Sequence, residues 1–285
     1  MSLPMRTELR AADEALAAAG VASPRVDAEL LLAHLLGVPR GALLLVDELS
    51  ETQSLAFREL IARRGEGVPV QYLTGSAPFR YLDLVVGPGV FIPRPETELL
   101  LDLAAPRLAT ASVMVDLCAG SGAIALAVAN EYPLVRVLAV ERSAAALIWL
   151  RRNAGRQALA GDPQIEIVAA DVADPGLLVE LVGRVDVVLS NPPYVPASLR
   201  AGLDREIAHD PDEAVFSGAD GLELMPTVLA CAHRLLRPSG LVAFEHDESQ
   251  GDTAPALLRS ECRWADVEDH ADLAGRPRFV TATRQ

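Results

Sequence analysis

Lysine is missing from this sequence: all 25 basic residues are arginine, a matter of coding bias rather than of function. Against 39 acidic residues they leave a net charge of −14. Nucleic acid is gripped largely by cations that displace counterions from phosphates, so this balance argues against a protein that coats DNA or RNA. Residues 1–80 hold 8 arginines and 10 acids, a net of −2, so the remainder carries −12. Cysteine is scarce as well. Cys118, Cys231 and Cys262 are odd in number and widely spaced, which suits reduced thiols in a cytosol and forms no metal-ligand set. No run approaches the roughly 18 apolar residues of a membrane helix. The opening "MSLPMRTELRAADEAL" carries charges where a signal peptide has its apolar segment, so export is not expected.

With 51% hydrophobic residues, the chain has the composition of a globular protein. Residues 1–65 read as short helices that form a small bundle. Gly20 and Gly37 are stops, Ser23 caps a helix with Pro24 at its first position, and "SETQ" (50–53) is a capping box. Residues 66–93, rich in glycine, proline, aromatic and β-branched residues, read as a hairpin linker. An alternation follows: helix 95–108, strand 112–117, helix 121–130, strand 135–141, helix 143–156, then strands 164–169 and 185–190. A helix near 221–236, a strand near 240–245 and strands near 262–268 and 277–283 complete it. "SVMVDL" and "VDVVLS" are nearly continuous apolar runs, the mark of strands covered on both faces. The expected fold is an open α/β sheet over residues 94–285, with ligands at the carboxyl ends of its strands.

"VMVDLCAGSGAIALAVA" (113–129) reads as strand, glycine turn and helix. Gly120 and Gly122 allow close backbone approach to a ligand, and the helix offers its positive end. Glu141, ending the next strand, is placed to accept both hydroxyls of a ribose. Asp171 and Val172 stand where an adenine amino group and ring face would lie. The pattern satisfies a dinucleotide fingerprint as well as a site for S-adenosylmethionine. Two features favour the methyl donor. Asp116 ends the first strand, poised to meet an ammonium, and a pyrophosphate would be repelled by it. The fourth strand then runs into "NPPY" (191–194), which hydride transfer does not need.

Asn191 offers a carbonyl acceptor and an NH₂ donor. Pro192 and Pro193 fix φ and lack N–H, leaving carbonyls free of local pairing. The result is a rigid, acceptor-rich ledge that suits an –NH₂ attached to a planar system, either an amide or an exocyclic base amine. Two acceptors that hold both hydrogens can turn the nitrogen lone pair out of conjugation and aim it at a sulfonium methyl. Tyr194 would wall the pocket. No metal is required.

Beyond "NPPYVP", the sequence carries "RRGEGVPVQYLTG" (63–75), "FIPRPETELLL" (91–101), "DLCAGSGAIALA" (116–127), "HDPDEAVFSGADGL" (209–222) and "DLAGRPRFVTA" (272–282). In these stretches it resembles the release-factor glutamine N5-methyltransferases over nearly its whole length. The resemblance implies a seven-stranded, Rossmann-like S-adenosylmethionine-dependent methyltransferase sheet behind an N-terminal helical domain that docks a peptide-chain release factor. The implied substrate is the glutamine of the factor's Gly-Gly-Gln loop. It also implies a cofactor loop at Cys118, Ala119, Gly120, Ser121 and Gly122, a ribose acid at Glu141, an adenine-flanking pair at Asp171 and Val172, and a substrate amide clamp from Asn191 through Tyr194. Phe91 resembles the aromatic lining of the family's glutamine pocket. A cytoplasmic monomer acting on protein, with no nucleic acid, membrane or metal, is expected.

Three departures stand out. Cys118 replaces the family's first loop glycine, which costs stability or cofactor affinity if that position needs φ > 0. Glu141 stands where aspartate is common, and Asp247 where glycine is usual. Arg94 and Glu96 serve either helix-start pairing or ligand contact, and Glu245-His246 reads as structural. Two other functions remain open: an adenine-N6 DNA or RNA amino-methyltransferase, and a non-catalytic docking protein with a degenerate cofactor site.

Overall fold

A computed structural model describes residues 3–285; positions 1 and 2 of the expected helical domain lie outside the described residues. The chain divides into two compact units, one of residues 1–76 with 204–209 and one of residues 77–203 with 210–285. Among the described residues no helix is long and apolar enough to cross a membrane.

The first unit opens with β1 (Leu3–Pro4), α1 (Met5–Ala18) and α2 (Pro24–Leu36), followed by a 3₁₀ turn at Arg40–Leu45, β2 (Glu48–Leu49), α3 (Glu51–Gly65) and α4 (Val70–Thr74). The buried apolar positions of α1 (Met5, Leu9, Ala12 and Leu16) recur at helical spacing and form one stripe. That stripe packs with Leu31, Leu32 and Phe57 in a single core. Gly37 ends α2 in the left-handed conformation, and Ser50 and Gln53 make the reciprocal capping box expected of "SETQ". Ser23 makes no capping hydrogen bond: its backbone, at φ −129° and ψ 62°, leaves the extended geometry a capping hydroxyl needs, and Pro24 alone marks the helix start. Val70 and Leu73 bury α4 in this same core, so the compact unit runs eleven residues past the boundary expected at 65. The antiparallel pairing of β1 with β2 is two residues long, too short to leave an alternation in the sequence.

The hairpin β3 (Ser76–Phe79) and β4 (Leu82–Val85), which the linker reading anticipates, belongs to the second unit from its second residue onward. Then come α5 (Leu99–Leu108), β5 (Val113–Leu117), α6 (Ala123–Glu131), β6 (Arg136–Glu141), α7 (Ala144–Ala160), β7 (Glu166–Ala169) and β8 (Val185–Ser190). After these follow α8 (Asp212–Val215), α9 (Met225–Leu235), β9 (Leu236–Glu245), α10 (Thr253–Arg259), β10 (Trp264–Ala271) and β11 (Pro277–Arg284). Seven strands form one sheet in the order β10-β11-β9-β8-β5-β6-β7. Pairings from β9 through β7 are parallel, and β11 pairs antiparallel with both neighbours.

Alternate residues of the central strands enter opposite cores. Val187 and Leu189 join Leu100, Leu126 and Leu150 on one face, while Val188 joins Val228, Leu229 and Leu258 on the other. That double covering is why these strands read as unbroken apolar runs. The chain leaves β5 toward β6 on one side and reaches β8 on the other, so the carboxyl ends of β5 and β8 flank the crevice where the strand order reverses.

Candidate active site

The turn after β5 takes three left-handed residues in five: Cys118 at φ +63°, Gly120 at +55° and Gly122 at +87°. At Gly122 a Cβ would stand 2.5 Å from Leu150 Cδ1, so that glycine also lets α6 lie close to α7. Gly122 occupies the cap position of α6 and has no side chain to cap it. Asp116 does so from the strand end: it is fully buried, and its Oδ2 accepts the Ala125 N–H at 3.1 Å. Asp116 therefore holds the first turn of α6 through Oδ2, while its buried Oδ1 has no partner among the described residues. Burial drives its carboxyl well above the usual range. Asn153 adds a support the sequence did not signal, donating to the carbonyls of both Ser121 and Val85 at 3.0 Å.

Glu141 explains its own length. One carboxylate oxygen accepts the Gly120 N–H at 2.8 Å and the other the Ser143 N–H at 2.7 Å, so the side chain ties the loop after β5 to the start of α7. Each oxygen retains a lone pair beyond the one so used. Asp171, after β7, accepts the Ala173 N–H at 2.8 Å and Arg142 Nη1 at 3.2 Å. The backbone N–H and then the guanidinium hold its carboxyl below the usual value.

At the end of β8, Asn191 Nδ2 donates to Thr97 Oγ1 at 3.1 Å. Thr97 Oγ1 donates to Glu245 Oε2 at 2.6 Å, and the Tyr194 hydroxyl donates to Glu245 Oε1 at 2.6 Å. Burial pushes the Glu245 carboxyl up, while the Thr97 and Tyr194 hydroxyls pull it down less strongly. Tyr194 is thus turned toward the end of β9, where its hydroxyl finds a buried carboxylate. Its carbonyl accepts Gln250 Nε2 at 2.9 Å, and a Cβ on Gly221 would stand 2.0 Å from that carbonyl oxygen. Only glycine permits this approach. Arg94 pairs with Asp210 and lies over the Phe91 ring at 5.0 Å; Asp210 in turn accepts the Ile92 N–H at 3.2 Å. Arg94 therefore fixes the strand-like stretch that carries Phe91.

One cleft, about 960 Å³ including its open mouth, joins these groups. Cys118, Ala119, Gly120, Ser121 and Glu141 line it, as do Asp171 and Val172, and so do Phe91, Asn191 and Pro193. Asp116, Gly122, Pro192 and Tyr194 are not among its walls. Asp116 caps α6, Gly122 packs against Leu150 of α7, and Tyr194 donates to Glu245. Thr97 and Arg142 line the cleft without having been singled out. Thr97 lies inside "PRPETE", where no local pattern sets it apart from its charged neighbours, and no local pattern links Glu245 to position 191.

The arrangement has a donor set that fits an adenosyl ligand at one end: a carboxylate with free lone pairs, a glycine with open space around its Cβ position, and a small apolar wall at Val172. The same cleft presents the asparagine amide of Asn191 together with Pro193 and Phe91. Residues 8–75 match the family described as the PrmC N-terminal domain, and residues 83–210 the family described as the methyltransferase small domain. The chain is 50% identical over 282 residues to the release factor glutamine methyltransferase of Mycolicibacterium smegmatis, covering 98% of both chains. It is 46% identical to the enzyme of that name from Streptomyces coelicolor, covering 97% of each. Among solved structures, a methyltransferase from Pyrococcus furiosus superposes with a TM-score of 0.51 at 20% identity, covering 71% of this chain and 88% of that one, a likeness of fold alone.

Proposed function

Because the chain belongs to the release factor glutamine methyltransferase family, we propose that it transfers a methyl group from S-adenosylmethionine to the side-chain amide nitrogen, N5, of the glutamine in the Gly-Gly-Gln motif of a peptide-chain release factor. The observation that carries this reading is the meeting, in one cleft, of the Gly120–Glu141 end with the Asn191–Pro193 ledge. The donor, when bound, supplies an electrophilic methyl on a sulfonium. The backbone of Cys118 through Ser121 would hold its amino-acid end, Glu141 its ribose hydroxyls, and Asp171 and Val172 its adenine. Asp116 and Gly122 support that loop from beneath.

The chain's own part is to make a poor nucleophile competent. An amide nitrogen delocalises its lone pair into the carbonyl. Asn191 Oδ1 and a backbone carbonyl of the proline segment accept the two hydrogens of the substrate amide, which turns the lone pair away from conjugation. Phe91 covers the glutamine side chain and keeps water from competing for those hydrogens. The gain comes from fixed dipoles and orientation.

The helical unit docks the release factor in this reading. Leu44 and Leu45 support it: they stand 81% and 85% exposed on the 3₁₀ turn, an apolar pair with no internal use. The enzyme works as a cytoplasmic monomer, and the net charge of −14 favours a protein over a nucleic acid as its partner. The test is mass spectrometry of a release factor after incubation with enzyme and donor. A single added methyl on the Gly-Gly-Gln glutamine is expected. Methyl found instead on adenine of a nucleic-acid control would overturn the reading.

A further inference from the structure

An asparagine amide has nearly the same shape either way round, yet only one orientation serves the reaction proposed above. With Oδ1 toward the cleft it accepts from the substrate –NH₂; reversed, it would set a donor against a donor. Something must decide the orientation, and the decision lies outside Asn191 itself.

Behind it runs a short directional chain. Thr97 is 3% exposed and Glu245 1% exposed, so neither exchanges its hydrogen bonds freely with water. In its ionised form the Glu245 carboxylate, held there by two hydroxyl donors, only accepts. The Thr97 hydroxyl gives its single hydrogen to Glu245 Oε2, and the Tyr194 hydroxyl gives its own to Oε1. With its hydrogen so committed, Thr97 Oγ1 faces Asn191 purely as an acceptor. The Asn191 –NH₂ must then point at Thr97, as it does at 3.1 Å, and Oδ1 is left for the cleft. The three residues come from different parts of the unit: the turn before α5, the end of β9 and the end of β8. No local packing rule would place a threonine hydroxyl between a buried carboxylate and the amide of the ledge.

We propose that Thr97 and Glu245 are positioning residues for methyl transfer, a proton-ordered relay that holds the Asn191 amide with its oxygen toward the substrate nitrogen. The inference rests on the substrate reading above. In Glu245→Gln one of the two hydroxyls meets an –NH₂ in place of an oxygen. If that is Thr97, its hydrogen is released toward Asn191 and the amide can turn over. In Thr97→Val the acceptor is gone and nothing favours either orientation.

The experiment compares wild type with Thr97→Val, Thr97→Ser and Glu245→Gln. It measures kcat and KM on a release factor, calorimetric affinity for a Gly-Gly-Gln peptide in the presence of S-adenosylhomocysteine, and affinity for S-adenosylhomocysteine alone. Expected for Thr97→Val and Glu245→Gln is a loss in kcat of about a hundredfold or more, the scale seen when one preorganised polar partner is removed. Peptide affinity falls about tenfold, while affinity for S-adenosylhomocysteine stays within about threefold. Thr97→Ser, which keeps the hydroxyl, returns both readouts to near wild type. Should Glu245→Gln fail to fold, the valine and serine pair carries the test. Wild-type turnover in Thr97→Val, or a serine variant as impaired as the valine one, sinks the relay and leaves the substrate reading standing. A wild-type enzyme that binds S-adenosylhomocysteine but leaves the release factor unmethylated sinks the substrate reading, and the relay with it.

Discussion

Cys118 holds its backbone at φ +63°, a region where a Cβ crowds the following carbonyl at a cost of about 1–2 kcal/mol. Its thiol is no compensation as a nucleophile: burial first, then the nearby Glu141 and Asp116 charges, push its ionisation far above the usual thiol range. Cys118→Gly removes the crowding but adds about 0.5–1 kcal/mol of chain entropy, so a net gain between about zero and about 1.5 kcal/mol over Cys118→Ala is expected. Denaturant midpoints of the two variants measure it, and a glycine variant less stable than the alanine one by about 0.5–1 kcal/mol would show that the turn carries no strain. The sequence alone placed this departure at the right residue, because a glycine turn with one non-glycine member names its own weak point. It left Asp247 open, and the structure answers it: at φ −70° that residue needs no glycine, and its carboxylate accepts the Ser249 N–H at 3.0 Å in a capping box completed by Gln250. Thr97 and Glu245 were not legible, since their meaning lies in partners 94 and 148 residues apart in sequence.

At the scale of elements, the parallel strands are stapled where they begin. Asp186 of β8 accepts the N–H groups of Ser112 and Val113 at 2.8 and 2.9 Å with one oxygen, and Arg237 Nε at 2.5 Å with the other, linking β5, β8 and β9. Burial alone would raise this carboxyl, but Arg237 and the two backbone groups outweigh it and hold it below the ordinary value of 3.8. Its stabilisation is complete above that value and is lost as pH falls through the lower folded one. Asp186→Asn should therefore cost about 1–2 kcal/mol near neutral pH, with the gap to wild type closing below about pH 4. Urea titrations from pH 7 to pH 3 read this directly; a gap that stays constant would mean the carboxylate charge contributes nothing. The strands themselves were legible as apolar runs between turns. Boundaries were less so. The helix expected from 221 starts at Met225, and β9 begins at Leu236 with no loop between, since α9 passes straight into the strand. The short helices α4, α8 and α10 span at most seven residues, too few for a 3.6-residue period to declare itself.

For the whole molecule, a helical region followed by an α/β sheet was legible in the sequence. The change of pattern near residue 66, however, lies short of residue 76, where the first compact unit gives way to the second. The exposed Leu44 and Leu45 give the helical unit a measurable task. Changing both to serine should raise KM for an intact release factor about tenfold while leaving KM for a short Gly-Gly-Gln peptide unchanged, because the peptide has nothing to lay on that turn. Equal effects on both substrates would show that the pair plays no part in docking. What the sequence concealed is that residues 204–209 belong to the helical unit. Arg64, 4% exposed at its side chain, is shared by Asp27 at 2.7 Å and by Glu206, and no local pattern announces a partner 142 residues away. The covalent chain therefore passes between the units three times, and neither is a severable fragment. Cutting after residue 76 would strip the arginine of one of its two carboxylates and strand Glu206 on the other piece. Dissection of this enzyme into halves would report on the wound as much as on the parts.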